Sequence, residues 1–301
     1  MSITKWLAIF AFASTSTTTL IAESHCPGNV ASLPYRLVNR HQIVAAVSIS
    51  HTGPYSFLID TGAQVSMVDP SLAADLHLSG RGEAVVASAG INASASFARI
   101  GSIEAGSHAV ANQDVLVYDL ANLQSAGLDI RGVLGQDFLQ RFDMLIDNAH
   151  NLLCLDDSGA MRAELKGQRI PLLPPSPAAE GTLPGSLIIS VRLSDGMRPV
   201  RVKLDSGANT SFLYNTSSYM ALGAFRGASL QGGAGARRTY TALPPQTMKV
   251  GSIEVPHVTF VTLAGVQKDS RTSEFDGLLS LGLFRRVFIS HAERFAILDP
   301  W

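Results

Sequence analysis

Two aspartates, Asp60 and Asp205, stand in nearly identical local sequences whose residue types suggest acid–base chemistry. Each follows an apolar run typical of a buried strand, and the motifs read Asp60-Thr61-Gly62-Ala63 and Asp205-Ser206-Gly207-Ala208. The glycine permits a sharp loop, the carboxylate projects from its tip, and the neighbouring hydroxyl can fix the loop by hydrogen bonding. If the loops met, the two carboxyl groups would share one proton, so that one could act as a general base and the other as a general acid. A single copy of the motif is better explained as a turn after a strand, so the interpretation depends on the pair.

An internal repeat surrounds both motifs. A shift of 145 positions places Asp60 on Asp205 and also aligns further landmarks, namely Pro54 with Pro199, Gly62 with Gly207, Ser66 with Ser211, Gly132 with Gly277 and Leu134 with Leu279. The matches occur in the same order over roughly 120 residues, far longer than the unit of a solenoid repeat. The sequence therefore predicts two duplicated lobes.

The elements around these landmarks predict an all-β protein with minor helix. Each copy begins with a strand, a hairpin turn and a second strand, followed by a short helix (70–78 in the first copy) and further short strands. We place the N-terminal lobe at 30–157 and the C-terminal lobe at 185–301. Residues 158–184 contain five prolines and predict an extended linker between the lobes.

The paired motifs resemble those of the retropepsin-like aspartyl proteases, in the pepsin and retropepsin superfamily. Residues 57–63 with Ser66, and 202–208 with Ser211, resemble the family signature of two apolar residues, Asp-Thr-Gly-Ala, and a hydroxyl residue three positions on. Val133-Leu134-Gly135 is similar to the apolar pair and glycine that pack beneath the catalytic loop, and Leu278-Leu279 is its second copy. The similarity covers residues 40–300.

This resemblance implies a fold and an activity. The fold would be a two-lobed acid protease in which each lobe is a closed β-barrel and the lobes are related by a pseudo-twofold axis. The chain would be an aspartic endopeptidase, monomeric with an intramolecular pseudo-dimer, acting on a peptide or protein substrate without a metal or cofactor. Asp60 and Asp205 would be catalytic, and Thr61, Gly62, Ser206 and Gly207 would support the two loops.

Two glycine-rich tips are candidate flaps over a substrate. Gly90 follows Asp60 by 30 residues, and a second tip stands at a similar distance from Asp205. The predicted substrate-binding residues are Ala89, Gly90, Gly233 and Gly235. A mobile hairpin without substrate contact is the alternative for both tips.

The N-terminus predicts export. Residues 1–22 combine Lys5, a short apolar core and a small polar tail, as in a signal peptide cleaved after Ala13 or Ala22. An uncleaved anchor is the alternative, but the apolar stretch is far shorter than the roughly 20 residues that span a bilayer. The mature protein would be periplasmic or secreted and would have no membrane span. There Cys26 and Cys154 either form a disulfide or leave Cys154 as a small buried hydrophobe.

The composition excludes several other classes of protein. Hydrophobic residues make up 46% of the 301 residues and charged residues 16%, which is typical of a globular chain. The formal net charge of −1 provides no field that would attract nucleic acid. With two cysteines and scattered histidines, the sequence shows no metal-ligand spacing.

Two departures from the signature occur in the second copy. Ser280 stands where the first copy has Gly135, and Lys203 stands where it has Leu58. The alternative function is therefore a catalytically impaired protein of the same fold that binds peptides without cutting them. A structural envelope protein is a third possibility, but the paired repeat argues against it.

Overall fold

The structure is a computed structural model that describes residues 25–88, 91–174, 185–193, 198–214, 227–231, 237–263 and 274–301. The predicted signal peptide and the flap residues Ala89, Gly90, Gly233 and Gly235 lie outside these ranges. Within them the chain is mostly β-strand with short helices, as the sequence predicts. None of the helices in the described part is long and apolar enough to cross a membrane.

Eleven strands lie in the described residues up to residue 171. They are β1 (Ser32–Val38), β2 (Gln42–Ile49), β3 (Thr52–Ile59), β4 (Met67–Val68), β5 (Gly80–Ser88), β6 (Ile91–Ala105), β7 (His108–Val117), β8 (Gly132–Leu134), β9 (Asp143–Asp147), β10 (Leu152–Asp156) and β11 (Ile170–Pro171).

Eleven more follow in the described residues after 185. They are β12 (Ile188–Val191), β13 (Val200–Asp205), β14 (Ser211–Leu213), β15 (Gly227–Gln231), β16 (Arg237–Ala242), β17 (Gln246–Val250), β18 (Ile253–Val258), β19 (Phe260–Leu263), β20 (Gly277–Ser280), β21 (Phe284–Ser290) and β22 (Phe295–Pro300).

The helices are short and lie at the ends of strands. They are α1 (Pro70–Asp75), α2 (Ala121–Ser125), α3 (Gln136–Leu139) and α4 (Ala160–Glu164), with 3-10 turns at Pro27–Asn29 and Leu281–Leu283. Helix α1 begins where the sequence predicts, because the Asp69 side chain caps it by accepting from the Leu72 amide at 2.6 Å. It ends earlier than residue 78, since His77 adopts a left-handed conformation with φ of 54°.

A run of seven strands occurs twice with the same pairing. The first run has the order β2-β3-β8-β4-β7-β6-β5, and the second has β12-β13-β20-β14-β19-β16-β15. In both, the second and third strands pair in parallel (β3 with β8, β13 with β20), and so do the fourth and fifth (β4 with β7, β14 with β19). The repeat in the sequence therefore has a counterpart in the strand pairing.

Strands from both copies also pair with each other. In the order β11-β22-β21-β9-β10-β1 they form what we call the joining sheet. Its central contact is antiparallel, with Val287 of β21 opposite Ile146 of β9. Both residues are buried, so the sheet connects the two halves of the chain through apolar packing as well as backbone hydrogen bonds.

A disulfide joins Cys26 to Cys154, which decides between the two alternatives that the sequence left open. It ties the segment before β1 to β10, beside a cluster that includes Phe288 and Met161. Both cysteines are buried, so the bond lies inside the packing of the joining sheet.

The first part of the predicted linker is not an extended segment. Within residues 158–174, helix α4 packs near the first 3-10 turn and β11 pairs with β22, with Ile170 opposite Ala296. Met161 and Ile170 are buried, and this apolar anchoring explains why the segment is ordered against the sheet. Residues 175–184 lie outside the described chain.

Candidate active site

Strand pairing places Asp60 and Asp205 in equivalent positions. Asp60 directly follows β3, and its amide donates to the Leu134 carbonyl of β8 at 3.0 Å. Asp205 is the last residue of β13 and pairs with Ser280 of β20. In each case a buried pair of parallel strands fixes the start of the loop that follows. We call residues 60–63 the Asp60 loop and residues 205–208 the Asp205 loop.

Each aspartate binds the backbone of its own loop. Oδ1 of Asp60 accepts from the amides of Gly62 at 2.7 Å and Ala63 at 3.1 Å. Oδ1 of Asp205 accepts from Gly207 and Ala208, both at 2.9 Å. Two amide donors hold one oxygen of each carboxyl group, so the other oxygen is directed away from the loop backbone.

The hydroxyls of Thr61 and Ser206 connect the loops to each other. Thr61 Oγ1 donates to the Leu204 carbonyl and accepts from the Ser206 amide, both at 3.0 Å. Ser206 Oγ donates to the Ile59 carbonyl at 2.7 Å and accepts from the Thr61 amide at 3.0 Å. Both side chains are fully buried. Because all four bonds pass from one copy to the other, neither loop can shift without the other.

The glycines bring the carboxyl groups together. A Cβ atom on Gly62 would lie 2.5 Å from Oδ2 of Asp205, and one on Gly207 would lie 2.5 Å from Cγ of Asp60. Any larger residue would therefore push the opposite carboxyl group away. With glycine at both positions, the Asp60 and Asp205 side chains hydrogen-bond each other.

This contact and the burial of the pair change the acidity of both groups. Burial raises the pKa of Asp205 to about 7, with a further contribution from the negative charge of Asp60. Burial also raises the pKa of Asp60, but the nearby Lys203 cation and the loop amides oppose it. Two adjacent carboxyls retain one proton between them over a wide pH range.

A second layer of contacts supports the Asp60 loop from below. Ser66 Oγ accepts from the Gly135 amide at 3.0 Å and donates to Asp137 at 2.6 Å, while the Gln136 amide donates to the Ala63 carbonyl at 2.9 Å. A Cβ on Gly135 would lie 2.9 Å from the backbone of residue 65, so only glycine fits this turn. Burial raises the pKa of the Asp137 carboxyl, and its bonds to Ser66 oppose that effect.

The Asp205 loop has similar support made from different groups. The Ser280 amide donates to Ser211 Oγ at 3.2 Å, as Gly135 does to Ser66. The Ser280 hydroxyl then donates to the Ala208 carbonyl at 2.7 Å, where the first copy uses the backbone amide of Gln136. Ser280 is therefore a bonded part of the support and not a gap in it.

Donors from the opposite copy also bind the glycine carbonyls of the two loops. Lys203 Nζ donates to the Gly62 carbonyl at 2.5 Å, and Gln42 Nε2 donates to the Gly207 carbonyl at 2.9 Å. Lys203 and Gln42 are both buried. One loop is thus held by a cation and the other by a neutral amide.

A cavity of about 380 Å³ contains both aspartates. One wall is formed by apolar residues of the first copy: Leu58, Met67, Leu120, Leu128 and Val133. The other wall comes from the second copy: Phe212, Tyr240, Val261 and Leu278. The site is therefore a polar pair at the centre of an apolar cleft, which is a common design of binding sites for organic ligands.

Six of the ten predicted site residues lie at this centre. They are Asp60, Thr61, Gly62, Asp205, Ser206 and Gly207; the four flap residues fall outside the described chain. Sequence reasoning missed Gln42, although a polar residue opening an otherwise apolar strand was an available signal. In the described ranges, no three His, Cys, Asp or Glu side chains are placed to hold a metal ion.

Comparison with known protein families gives a match that includes the Asp60 loop. Residues 45–138 match the family model described as aspartyl protease. The matched segment contains the Asp60 loop and Val133-Leu134-Gly135 beneath it. No curated protein matches the chain. The first copy is thus similar to aspartyl proteases, and this similarity indicates a proteolytic function in general terms.

Proposed function

We propose that the chain is an aspartic endopeptidase whose Asp60 and Asp205 carboxyls activate a water molecule against a peptide bond. The observation that supports this best is the reciprocal brace of the two loops, which holds the two carboxyls close together within one cleft. An acid–base pair requires this fixed geometry, since proton transfer is efficient only within hydrogen-bond reach.

In the first step the pair adds water to the peptide carbonyl. The ionised Asp60 accepts a proton from the water while the water oxygen bonds to the carbonyl carbon. Asp205, which the raised pKa of about 7 keeps mostly protonated at acidic pH, donates its proton to the carbonyl oxygen. The product is a neutral tetrahedral diol, and the charge of the pair has moved from Asp60 to Asp205.

The second step breaks the C–N bond and restores the pair. Asp60 donates its newly acquired proton to the amide nitrogen as the bond to carbon breaks. Asp205 accepts a proton from one hydroxyl of the diol. The diol carbon and its two oxygens then form the new carboxyl group. Asp60 is then ionised again and Asp205 is protonated again, so the pair can begin another cycle without a cofactor.

The proposed architecture is the two-lobed acid protease. The two copies of the seven-strand run would form the lobes, related by a pseudo-twofold axis that passes between Asp60 and Asp205. The substrate would lie extended across the cleft, with apolar side chains against the walls that both copies supply. We further propose that the protein is exported and acts as a monomer.

The test is cleavage of a diverse peptide library by the purified protein between pH 3 and pH 8. We expect cleavage by the natural sequence and a loss of about 10³-fold or more in kcat for both Asp60→Asn and Asp205→Asn, because each carboxyl moves a proton in both steps. Mass spectrometry of the products gives the cleaved bonds, and initial rates give the loss.

Asp119→Asn is the matched control. Asp119 is exposed and lines the same cavity, and an amide oxygen can still accept from the Ala121 amide as the carboxylate does at 2.8 Å. This variant should retain activity within a few fold. No cleavage by the natural sequence at any pH, with library peptides still bound, would reject the protease in favour of the peptide-binding alternative.

A further inference from the structure

We propose that Lys203 is a positioning residue for the aspartate pair: its buried ammonium group anchors the Asp60 loop from the opposite copy and neutralises the single negative charge that the pair carries. This role rests on the proposed function and extends it to a residue outside the two loop motifs. It assigns a net charge near zero to the pair and Lys203 together.

The contact between Lys203 and the pair passes through one peptide group. Lys203 Nζ donates to the carbonyl of Gly62. The amide on the other side of that same peptide belongs to Ala63 and donates to Asp60 Oδ1 at 3.1 Å. A cation bound at the carbonyl polarises the peptide and makes its N–H a stronger donor to the carboxylate.

The surroundings of Lys203 act on its charge in opposite directions. The residue is 8% exposed, and its Nζ lies 5.5 Å from the centre of the Phe275 ring. Burial lowers the pKa of its ammonium group, while Asp205, Asp60 and Glu274 raise it. A buried charge is strongly unfavourable unless it is paired, so the lysine and the singly ionised pair compensate each other.

Among the described residues of the first copy, no cation takes the equivalent position. The Gly207 carbonyl is bound by the neutral side chain of Gln42, and the sequence counterpart of Lys203 is Leu58, which lines the cavity. The chain therefore offers a natural comparison, because both glycine carbonyls receive a hydrogen bond but only one receives it from a charge.

The field of Lys203 also reaches both carboxyls. It lowers the pKa of Asp60 and of Asp205, against the burial that raises them. Loss of the cation should therefore raise both apparent pKa values of the pair.

The experiment compares four variants by the pH dependence of kcat/KM. Lys203→Met removes the charge and the donor, Lys203→Gln removes the charge but retains a donor, and Lys203→Arg retains both. Gln42→Met removes the neutral donor of the other copy. We expect both limbs of the profile to move to higher pH by about one unit in Lys203→Met and Lys203→Gln, as for loss of a nearby opposite charge. Lys203→Arg and Gln42→Met should keep the limbs of the natural sequence.

A second measurement does not depend on proteolysis. Carbon-13 NMR of the aspartate carboxyls, recorded against pH, follows Asp60 and Asp205 whether or not peptides are cut. If Lys203→Met does not fold, Lys203→Gln against Lys203→Arg provides the same contrast. The proposal would be overturned if the carboxyl groups of Asp60 and Asp205 titrated alike in these two variants. A changed kcat without any shift in the pH profile of kcat/KM would show that Lys203 acts only through packing. Moved carboxyl titrations without cleavage would instead reject only the protease.

Discussion

The Asp60 and Asp205 loops have the same internal hydrogen bonds but are held from outside by different groups. Below the Asp60 loop, a glycine turn, backbone amides and the Asp137 carboxyl provide the support. Below the Asp205 loop, the Ser280 hydroxyl provides it. A cation binds the carbonyl of Gly62, and an amide side chain binds that of Gly207.

The comparison shows which parts of such a site are fixed by geometry. The hydroxyl brace and the two glycines recur because their atoms lie close to atoms of the other copy. The outer support needs only a donor at the right point, and serine or a backbone amide serves equally. A single chain can therefore let its two halves differ outside the centre, and here the difference places charge on one side.

The largest effect that we expect concerns the pH dependence of stability. The pKa of Asp205 is about 7 in the folded protein, against an ordinary value of 3.8. Between these values the folded state retains a proton that the unfolded state has released, so the free energy of unfolding falls as the pH rises from about 4 to about 7. The loss should be roughly 4 kcal/mol, measured by urea unfolding at a series of pH values.

The two aspartates should differ in this respect. Asp205→Asn should remove most of the fall, and what remains should lie at lower pH, because Lys203 opposes the rise in the Asp60 pKa. Asp119→Asn should leave the natural curve unchanged. Because the lowered pKa values of His41 and His291 act in the opposite sense, the test is the difference between the natural and Asp205→Asn curves. A difference that stays constant between pH 4 and pH 7 would contradict the shared-proton pair.

The brace formed by the Thr61 and Ser206 hydroxyls should behave differently, because its loss should destabilise the protein nearly equally from either loop. Thr61→Val and Ser206→Ala each remove one hydroxyl that donates one buried bond and accepts another. Each should lower the free energy of unfolding by about 3 kcal/mol, because the abandoned backbone groups remain buried without partners. Urea unfolding at a fixed pH gives both values.

Thr61→Ser is the control for the brace. It converts the first loop to the residue of the second and retains the hydroxyl, so it should cost about 1 kcal/mol or less. If either hydroxyl deletion costs no more than this control, the loops are not mutually dependent.

The smallest effects should come from the outer support. Gly135→Ala brings a methyl group 2.9 Å from the backbone of residue 65 and should cost about 2 kcal/mol by overpacking. Ser280→Ala removes one hydrogen bond to Ala208 and should cost about 1 kcal/mol. Gly80→Ala, where a Cβ would meet Ser96 only at 3.6 Å, should be nearly neutral. If Gly135→Ala and Ser280→Ala lowered the free energy of unfolding equally, the supports of the two loops would be more alike than their contacts indicate.

Much of this arrangement could be predicted from the sequence. The repeat and the hairpins around Asp60 predicted the strand that positions the loop, because apolar alternation and turn residues are local signals. Thr61 and Ser206 could be assigned by resemblance. These features are recoverable since each depends on residues close together in the chain or repeated at one offset.

Other features depend on contacts that no local pattern encodes. Strand alternation shows the face on which Lys203 begins, but not that its long side chain crosses to a carbonyl of the other copy. Ser280 departed from the signature, yet its hydroxyl restores the missing support. Whether Cys26 would meet Cys154 was equally undetermined, because the two are separated by 128 residues and the pairing is a tertiary property.

The joining sheet has a consequence for the order in which the protein is made. Strand β21, which pairs with β9, and the neighbouring β22 are synthesised after the other strands of the joining sheet. Until β21 is synthesised, β9 of the first half lacks its partner strand. At an earlier stage, before Leu204 and Ser206 are synthesised, Thr61 also lacks the residues that bind its hydroxyl. A chain synthesised only through its first half therefore has Asp60 without Asp205, and the carboxyl pair can form only after the second half has followed.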